Sequence, residues 1–259
     1  MKGSSTILRI LALCLVAVLA LPMIASCTQI GSSDDNTTTT TTTTTTENTE
    51  NEEPKTYPLD GKTYIFLGSS VTYGSASGGK SFVEFIAENH DVTCVKFAVS
   101  GTTLVDNGSS SYVQRLTNET RRVKKADHLI CQLSTNDATQ NKPLGKVSDS
   151  KNIEDFDTTT IIGAMEYIIA FSQEKWNCHV SFYTGTKYDS ALYQKMVNAL
   201  YDLQEKWGIG IIDLWNDEEM NAVSKRDYAK YMSDSIHPTL LGYEEWWTPK
   251  FEAHLMKYE

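Results

Sequence analysis

The chain has 259 residues, 40% of them hydrophobic and 22% charged, with a formal net charge of −10. That length and apolar content suit one domain with a full core. The acidic balance excludes a nucleic-acid-binding surface and one that clings to anionic lipid through charge.

The amino-terminal 27 residues read as a secretory leader. Lys2 and Arg9 form a positive region, Ile10 to Ile24 is apolar apart from its break at Pro22, and small residues follow. The run is too short and interrupted for a membrane span. Its end, Ile24-Ala25-Ser26-Cys27, resembles a bacterial lipobox, which makes Cys27 the expected lipidation site and the first residue of the mature protein. Each buried methylene of such a lipid contributes ~0.8 kcal/mol, so several acyl chains form a firm tether. Loss of Lys2 and Arg9 with the leader takes the charge from −10 to −12. Residues 28–61 read as a disordered linker, because the threonine run Thr37–Thr46 and its flanking acids have no apolar face to bury. About 33 flexible residues reach roughly 30–35 Å. The expected location is therefore the extracytoplasmic face of a bacterial cell membrane.

Residues 62–259 alternate strand-like and helix-like segments. Expected strands are Thr63–Leu67, Val92–Val99, His128–Leu133, His179–Tyr183 and Ile209–Leu214. Expected helices are Ser81–Asn89, Ser111–Glu119, one capped by Asp155 or Asp157 with Ile161, Met165, Ile168 and Ile169 on its buried stripe, one beginning at Asp189, and Tyr243–Met256. Near-continuous apolar strands separated by helices predict a parallel sheet covered on both faces. Function in such folds gathers at the carboxyl ends of the strands. Cys94, Cys131 and Cys178 sit in or beside apolar runs and match no zinc spacing, so buried free thiols are expected. Arg121, Arg122, Lys124 and Lys125 read as a solvated helix end.

Polar groups follow these strands. The first ends in Gly68-Ser69-Ser70, and a tight turn there exposes the Ser70 hydroxyl as a candidate nucleophile. The alternative is a plain turn or a phosphate-type loop, of which the Walker type is excluded because the turn lacks the Gly-Lys-Ser/Thr ending. Ser233-Asp234-Ser235-Ile236-His237-Pro238 supplies an imidazole as candidate base and, three residues before it, a carboxylate to fix its tautomer. The other four histidines, His90, His128, His179 and His254, lack such a setting. Gly101 and Asn136 follow the second and third strands as candidate donors to an oxyanion, joined by the Ser70 N–H, while Asp137 is expected to brace its loop.

These residues resemble the SGNH hydrolases, or GDSL-type esterases and lipases, over about residues 62–258. Gly68-Ser69-Ser70 is similar to the nucleophile block, Ala98-Val99-Ser100-Gly101 to the glycine block, Ser134-Thr135-Asn136-Asp137 to the Gly-x-Asn-Asp block, and Asp234 to His237 to the Asp-x-x-His block. The resemblance implies a flavodoxin-like three-layer α/β/α sandwich on a five-stranded parallel sheet. It further implies a Ser70–His237–Asp234 triad, an oxyanion hole from Ser70, Gly101 and Asn136, and no metal or cofactor. Ser69 stands where the family has Asp, and Ser134 where it has Gly; the latter is expected to shift Asn136 or narrow the acyl pocket.

The expected function is ester hydrolysis through an acyl-enzyme, with acetyl or another small acyl group on a glycan as substrate. Trp246, Trp247, Tyr112 and Tyr188 are candidates for stacking on sugars. A short-chain lipase or general carboxylesterase, a non-catalytic glycan-binding module on the same fold, and a carboxylate-pair glycosidase remain the alternatives. The oligomeric state is left open.

Overall fold

The computed structural model describes residues 58–259. The leader, Cys27 and the threonine run lie outside the described residues. Five parallel strands, β1 (Thr63–Gly68), β2 (Thr93–Ala98), β3 (His128–Gln132), β4 (His179–Tyr183) and β5 (Gly210–Ile212), form one sheet in the order β2-β1-β3-β4-β5. Between β1 and β2 lie the short α1 (Ser70–Tyr73) and α2 (Phe82–Asn89). After β2 come α3 (Tyr112–Glu119), then β3 and α4 (Thr135–Thr139), and α5 (Ile161–Trp176) leads into β4. Helix α6 (Ala191–Trp207) connects β4 to β5, which is followed by α7 (Glu218–Asn221), α8 (Lys225–Tyr231), a π-helical turn Gly242–Trp247 and α9 (Thr248–Leu255).

Pleating sorts the strand residues onto two cores. Ile65, Leu67, Leu129, Cys131, Val180 and Phe182 join residues of α3, α5 and α6 in one cluster. Tyr64, Phe66, Ile130 and Ile212 join Phe82, Tyr243, Trp247, Phe251 and Leu255 in the other. A fully buried side chain of this size contributes roughly 1.5–3 kcal/mol relative to exposure, so each layer supplies a large share of the stability. Phe82 stacks on Phe251 at 3.9 Å between ring centroids and ties α2 to α9. Leu59, assigned to the linker from sequence, is fully buried in the second core, so packing begins before residue 62.

Several boundaries move by a residue or two because a side chain caps the helix from outside. Ser81 caps α2 in a capping box with Glu84, Ser111 caps α3 and Ser190 caps α6. The expected cap at Asp155 or Asp157 is not found: Thr160 caps α5, accepting from Gly163 N at 3.2 Å. Asp157 instead accepts the N–H of Thr159, and Asp155 accepts from Ser150. The expected single closing helix is a π-helical turn followed by α9, with Pro249 in the first turn of α9. Of the five cysteines, the three among the described residues are free, Cys131 and Cys178 buried and Cys94 partly so. Burial pushes the Cys94 thiol up to about 12 and that of Cys178 to about 11. Arg121, Arg122, Lys124 and Lys125 are exposed after the end of α3.

Candidate active site

The strand order reverses at β1. From there the chain runs to β2 on one side and returns to β3 on the other, which opens a crevice at the carboxyl ends of β1 and β3. Ser70 follows β1 and Asn136 follows β3 at that switch point.

The turn that presents Ser70 is over-determined. Ser69 caps α1 with unusual backbone angles (φ −115°, ψ −136°), and Ser70 is the first helical residue, so its N–H has no partner within the helix. The carbonyl oxygen of the Gln132 side chain accepts from Ser69 N at 2.8 Å, Thr72 Oγ1 at 3.0 Å and Ser69 Oγ at 3.3 Å. The Tyr243 hydroxyl donates to Val71 O at 2.7 Å, and Thr72 Oγ1 meets the Tyr183 hydroxyl at 2.6 Å. Gly68 is dictated by this packing: a Cβ there would sit 1.7 Å from Thr72 Oγ1. Ser69 is fully buried and contributes two donors to Gln132, so at this position a hydroxyl fills a packed niche.

His237 arrives on a closed turn. Ile236 N and His237 N donate to Asp234 Oδ1 at 2.7 and 2.8 Å, Ser233 N donates to His237 O at 2.8 Å, and Met232 bridges Pro238. The ring then lies between its two partners. Nδ1 is 2.8 Å from Asp234 Oδ2, and Nε2 is 2.8 Å from Ser70 Oγ. With the proton on Nδ1, the ring donates to Asp234 and leaves Nε2 to accept from the serine hydroxyl. Burial pushes the Asp234 carboxyl up, but the His237 ring and the two backbone N–H groups outweigh it and hold the carboxyl below its ordinary value. Ser70 is 8% exposed, while the side chains of His237 and Asp234 are 25% and 55% exposed. The triad therefore lies open to solvent on one side.

The other two expected site residues lie in the loop after β2 and at the start of α4. Gly101 adopts φ +80°, a left-handed conformation that favours glycine and that turns the chain after β2. Asn136 donates from Nδ2 to Thr102 O at 2.9 Å, which leaves its second amide hydrogen available. Asp137 is fully buried and accepts from Leu104 N at 2.7 Å and Val105 N at 3.1 Å, so from within α4 it braces the loop after β2 rather than its own. Burial pushes its carboxyl above the ordinary range, against the pull of these donors. Ser134 is fully buried and caps α4 by accepting from Asp137 N; the expected narrowing of an acyl pocket by this side chain is not found.

Two of the proposed sugar-stacking residues are corrected: Trp247 and Tyr112 are fully buried core residues, while Trp246 and Tyr188 are half-buried. The cavity of about 490 Å³ lined by residues 145–150, 155–157, Thr160, Gly163 and Glu166 lies beneath the α4–α5 loop and includes no triad residue. That loop is pinned: Lys206 Nζ donates to Ser148 O at 2.6 Å and pairs with Glu166 at 2.5 Å. Sequence reasoning passed over two features. Arg115 is 8% exposed and bonds Gly68 O and Thr102 Oγ1; its place between Tyr112 and Leu116 on the buried face of α3 is the signal that marks it. His128 and His254 both bond Ser181, a contact with no local motif to announce it.

Residues 66–245 match the model of the GDSL-like lipase/acylhydrolase family. No curated protein matches the chain significantly. Among solved structures, a Lactobacillus plantarum protein is similar with a TM-score of 0.65 at 19% identity, over 78% of this chain and 99% of that one. A protein named as a GDSL-like lipase from Bacteroides ovatus ATCC 8483 aligns with a TM-score of 0.53 at 16% identity, over 76% and 98%. A family two carbohydrate esterase from Clostridium thermocellum, solved with cellohexaose, aligns with a TM-score of 0.52 at 14% identity, over 79% of this chain and 65% of that one. These likenesses show a shared α/β fold; the family match, which takes in Ser70, Gly101, Asn136, Asp234 and His237, shows more. The chain belongs to the GDSL-like lipase/acylhydrolase family.

Proposed function

We propose that the protein is a serine ester hydrolase that removes acetyl or another small acyl group from a carbohydrate outside the cell. The observation that carries the reading is the continuous chain Ser70–His237–Asp234, with both contacts at 2.8 Å. The Ser70 oxygen attacks the ester carbonyl as its proton passes to His237 Nε2. The Ser70 and Gly101 N–H groups and the free amide hydrogen of Asn136 hold the oxyanion. On collapse the carbon–oxygen bond to the leaving alcohol breaks, and that oxygen takes the proton from Nε2. Water then attacks the acyl-serine, with its proton passing to the same nitrogen and from there to the Ser70 oxygen, and releases the acid. Asp234 orients the imidazole and stabilises its cation throughout.

The substrate class rests on the openness of the site. A nucleophile at the sheet edge, with His237 and Asp234 partly exposed, suits a small acyl group carried on a bulky, soluble polymer. A carbohydrate esterase among the structural relatives supports the same class. Lipidation at Cys27 would hold the domain at the extracytoplasmic membrane face, within reach of such a polymer. A short-chain carboxylesterase shares the mechanism and differs in preferring soluble aryl esters. Acetate release from a panel of acetylated glycans, wild type beside Ser70→Ala, tests the proposal: release by wild type alone is expected, and equal release by both would overturn it.

A further inference from the structure

Arg115 occupies a slot on α3 where the pattern calls for an apolar side chain, between buried Tyr112 and Leu116. It is 8% exposed. Its Nη2 donates to Gly68 O at 2.7 Å, and its Nη1 to Ser110 O at 2.6 Å and Thr102 Oγ1 at 3.0 Å. The guanidinium packs over the Tyr112 ring at 5.1 Å. Its Nε is buried without a hydrogen-bond partner, and among the described residues no carboxylate pairs with it. All three of its acceptors are neutral. Burying an uncompensated guanidinium costs several kcal/mol in general, so a cation here is a poor choice for packing alone.

The partners explain the choice. Gly68 O ends β1, two residues before Ser70. Thr102 follows Gly101, and its carbonyl is the group that Asn136 Nδ2 holds. One planar fork therefore joins the nucleophile turn to the loop that carries the backbone oxyanion donor, while Asn136 grips the other side of the same residue. Arginine suits this task because its rigid, multiply donating head fixes several acceptors at once.

We propose that Arg115 is a positioning residue for the oxyanion hole: it sets Ser70 N–H, Gly101 N–H and Asn136 in register and leaves an unneutralised positive charge behind them. The charge lies in a low-dielectric interior, where it favours the negative charge that develops on the carbonyl oxygen in the transition state and contributes little to binding the neutral ester. This inference rests on the ester-hydrolase reading.

The test is steady-state hydrolysis of a soluble acetyl ester by wild type, Arg115→Met, Arg115→Lys, Thr102→Val and Ser70→Ala, together with affinity for an alkyl boronic acid that forms a tetrahedral adduct on serine. Arg115→Met should lower kcat about 10- to 100-fold with KM within about twofold, below the loss from deleting a direct donor. Its boronate affinity should fall in step with kcat, and Arg115→Lys should recover part of both. Thr102→Val, which removes one acceptor together with the hydroxyl's own bond to Val99 O and keeps the cation, should lower kcat by about 3- to 10-fold. A merely structural role would leave boronate affinity and KM moving together, or leave Arg115→Lys no better than Arg115→Met, and either result overturns the proposal. Should Arg115→Met fail to fold, Thr102→Val decides, and wild-type kcat there overturns it. If Ser70→Ala retains activity, the ester-hydrolase reading itself fails; if Ser70→Ala is inactive and Arg115→Met matches wild type, only the role of Arg115 fails.

Discussion

Two serines among the described residues lie within 2.8 Å of an imidazole nitrogen, toward opposite ends of the strands of the same sheet. Toward the carboxyl ends of the strands, Ser70 Oγ meets His237 Nε2. Toward the amino ends, Ser181 Oγ lies between His128 Nε2 at 2.7 Å and His254 Nε2 at 2.8 Å. Distance does not separate the two; surroundings do. The far nitrogen of His237 faces the Asp234 carboxylate, whereas His128 Nδ1 is buried without a hydrogen-bond partner. Ser70 opens a helix at the carboxyl end of β1, while Ser181 sits inside β4. Burial lowers His128 to about 3 and His254 to about 4, so both stay neutral in the folded protein. A hydroxyl touching an imidazole is therefore only the beginning of a nucleophile. The base also needs an orienting anion that stabilises its charged form, and the serine needs donors for the oxyanion and access for substrate.

The largest expected contrast comes from the serines themselves. Ser70→Ala should lower kcat for a soluble acetyl ester by about 10⁴-fold or more, as measured by acid release. Ser181→Ala should leave kcat within about twofold of wild type. Next, Asn136→Ala should cost about 100- to 1,000-fold in kcat, the loss typical of one oxyanion donor. Asp234→Asn should also lower kcat, because an amide offers the His237 ring no charge to stabilise its cation.

The smaller effects concern stability. Ser181→Ala strips two buried imidazoles of their partner and should cost about 1–3 kcal/mol in chemical denaturation. The same histidines set the acid response. Their folded pKa values lie below the ordinary 6.5, so the unfolded chain binds protons that the folded one refuses. The stability they contribute is complete above about pH 6.5 and declines as pH falls toward about 4, by up to ~1.4 kcal/mol per pH unit for each histidine. Denaturant midpoints from pH 7 to pH 4 measure this slope, and His254→Gln should flatten it.

The same contrast explains what the sequence makes legible. The strands, the parallel sheet and the site residues are readable because apolar runs end in short polar blocks, and the sheet carries each block to the same edge. Ser70, Gly101, Asn136 and the Asp234–His237 turn each announce themselves locally. The Ser181 cluster does not, since its members come from β3, β4 and α9 and meet only through register and packing. Ser69 and Ser134 read as departures from a family pattern; both prove to be buried, Ser134 as a cap on Asp137 N at the usual three-residue spacing, Ser69 against Gln132, a partner that spacing does not reveal. Trp247 and Tyr112 looked like sugar platforms because an aromatic side chain carries no sign of which face it will bury. The break between the π-helical turn and α9 was hidden for a similar reason: a helical pattern in sequence does not reveal one widened turn.

The most direct test of the account treats the native protein with a fluorophosphonate and locates the adduct by peptide mass spectrometry. The account predicts stoichiometric modification at Ser70, absent in Ser70→Ala, with Ser181 untouched. An unmodified Ser70 in the folded protein, or an adduct on Ser181 in its place, would contradict it.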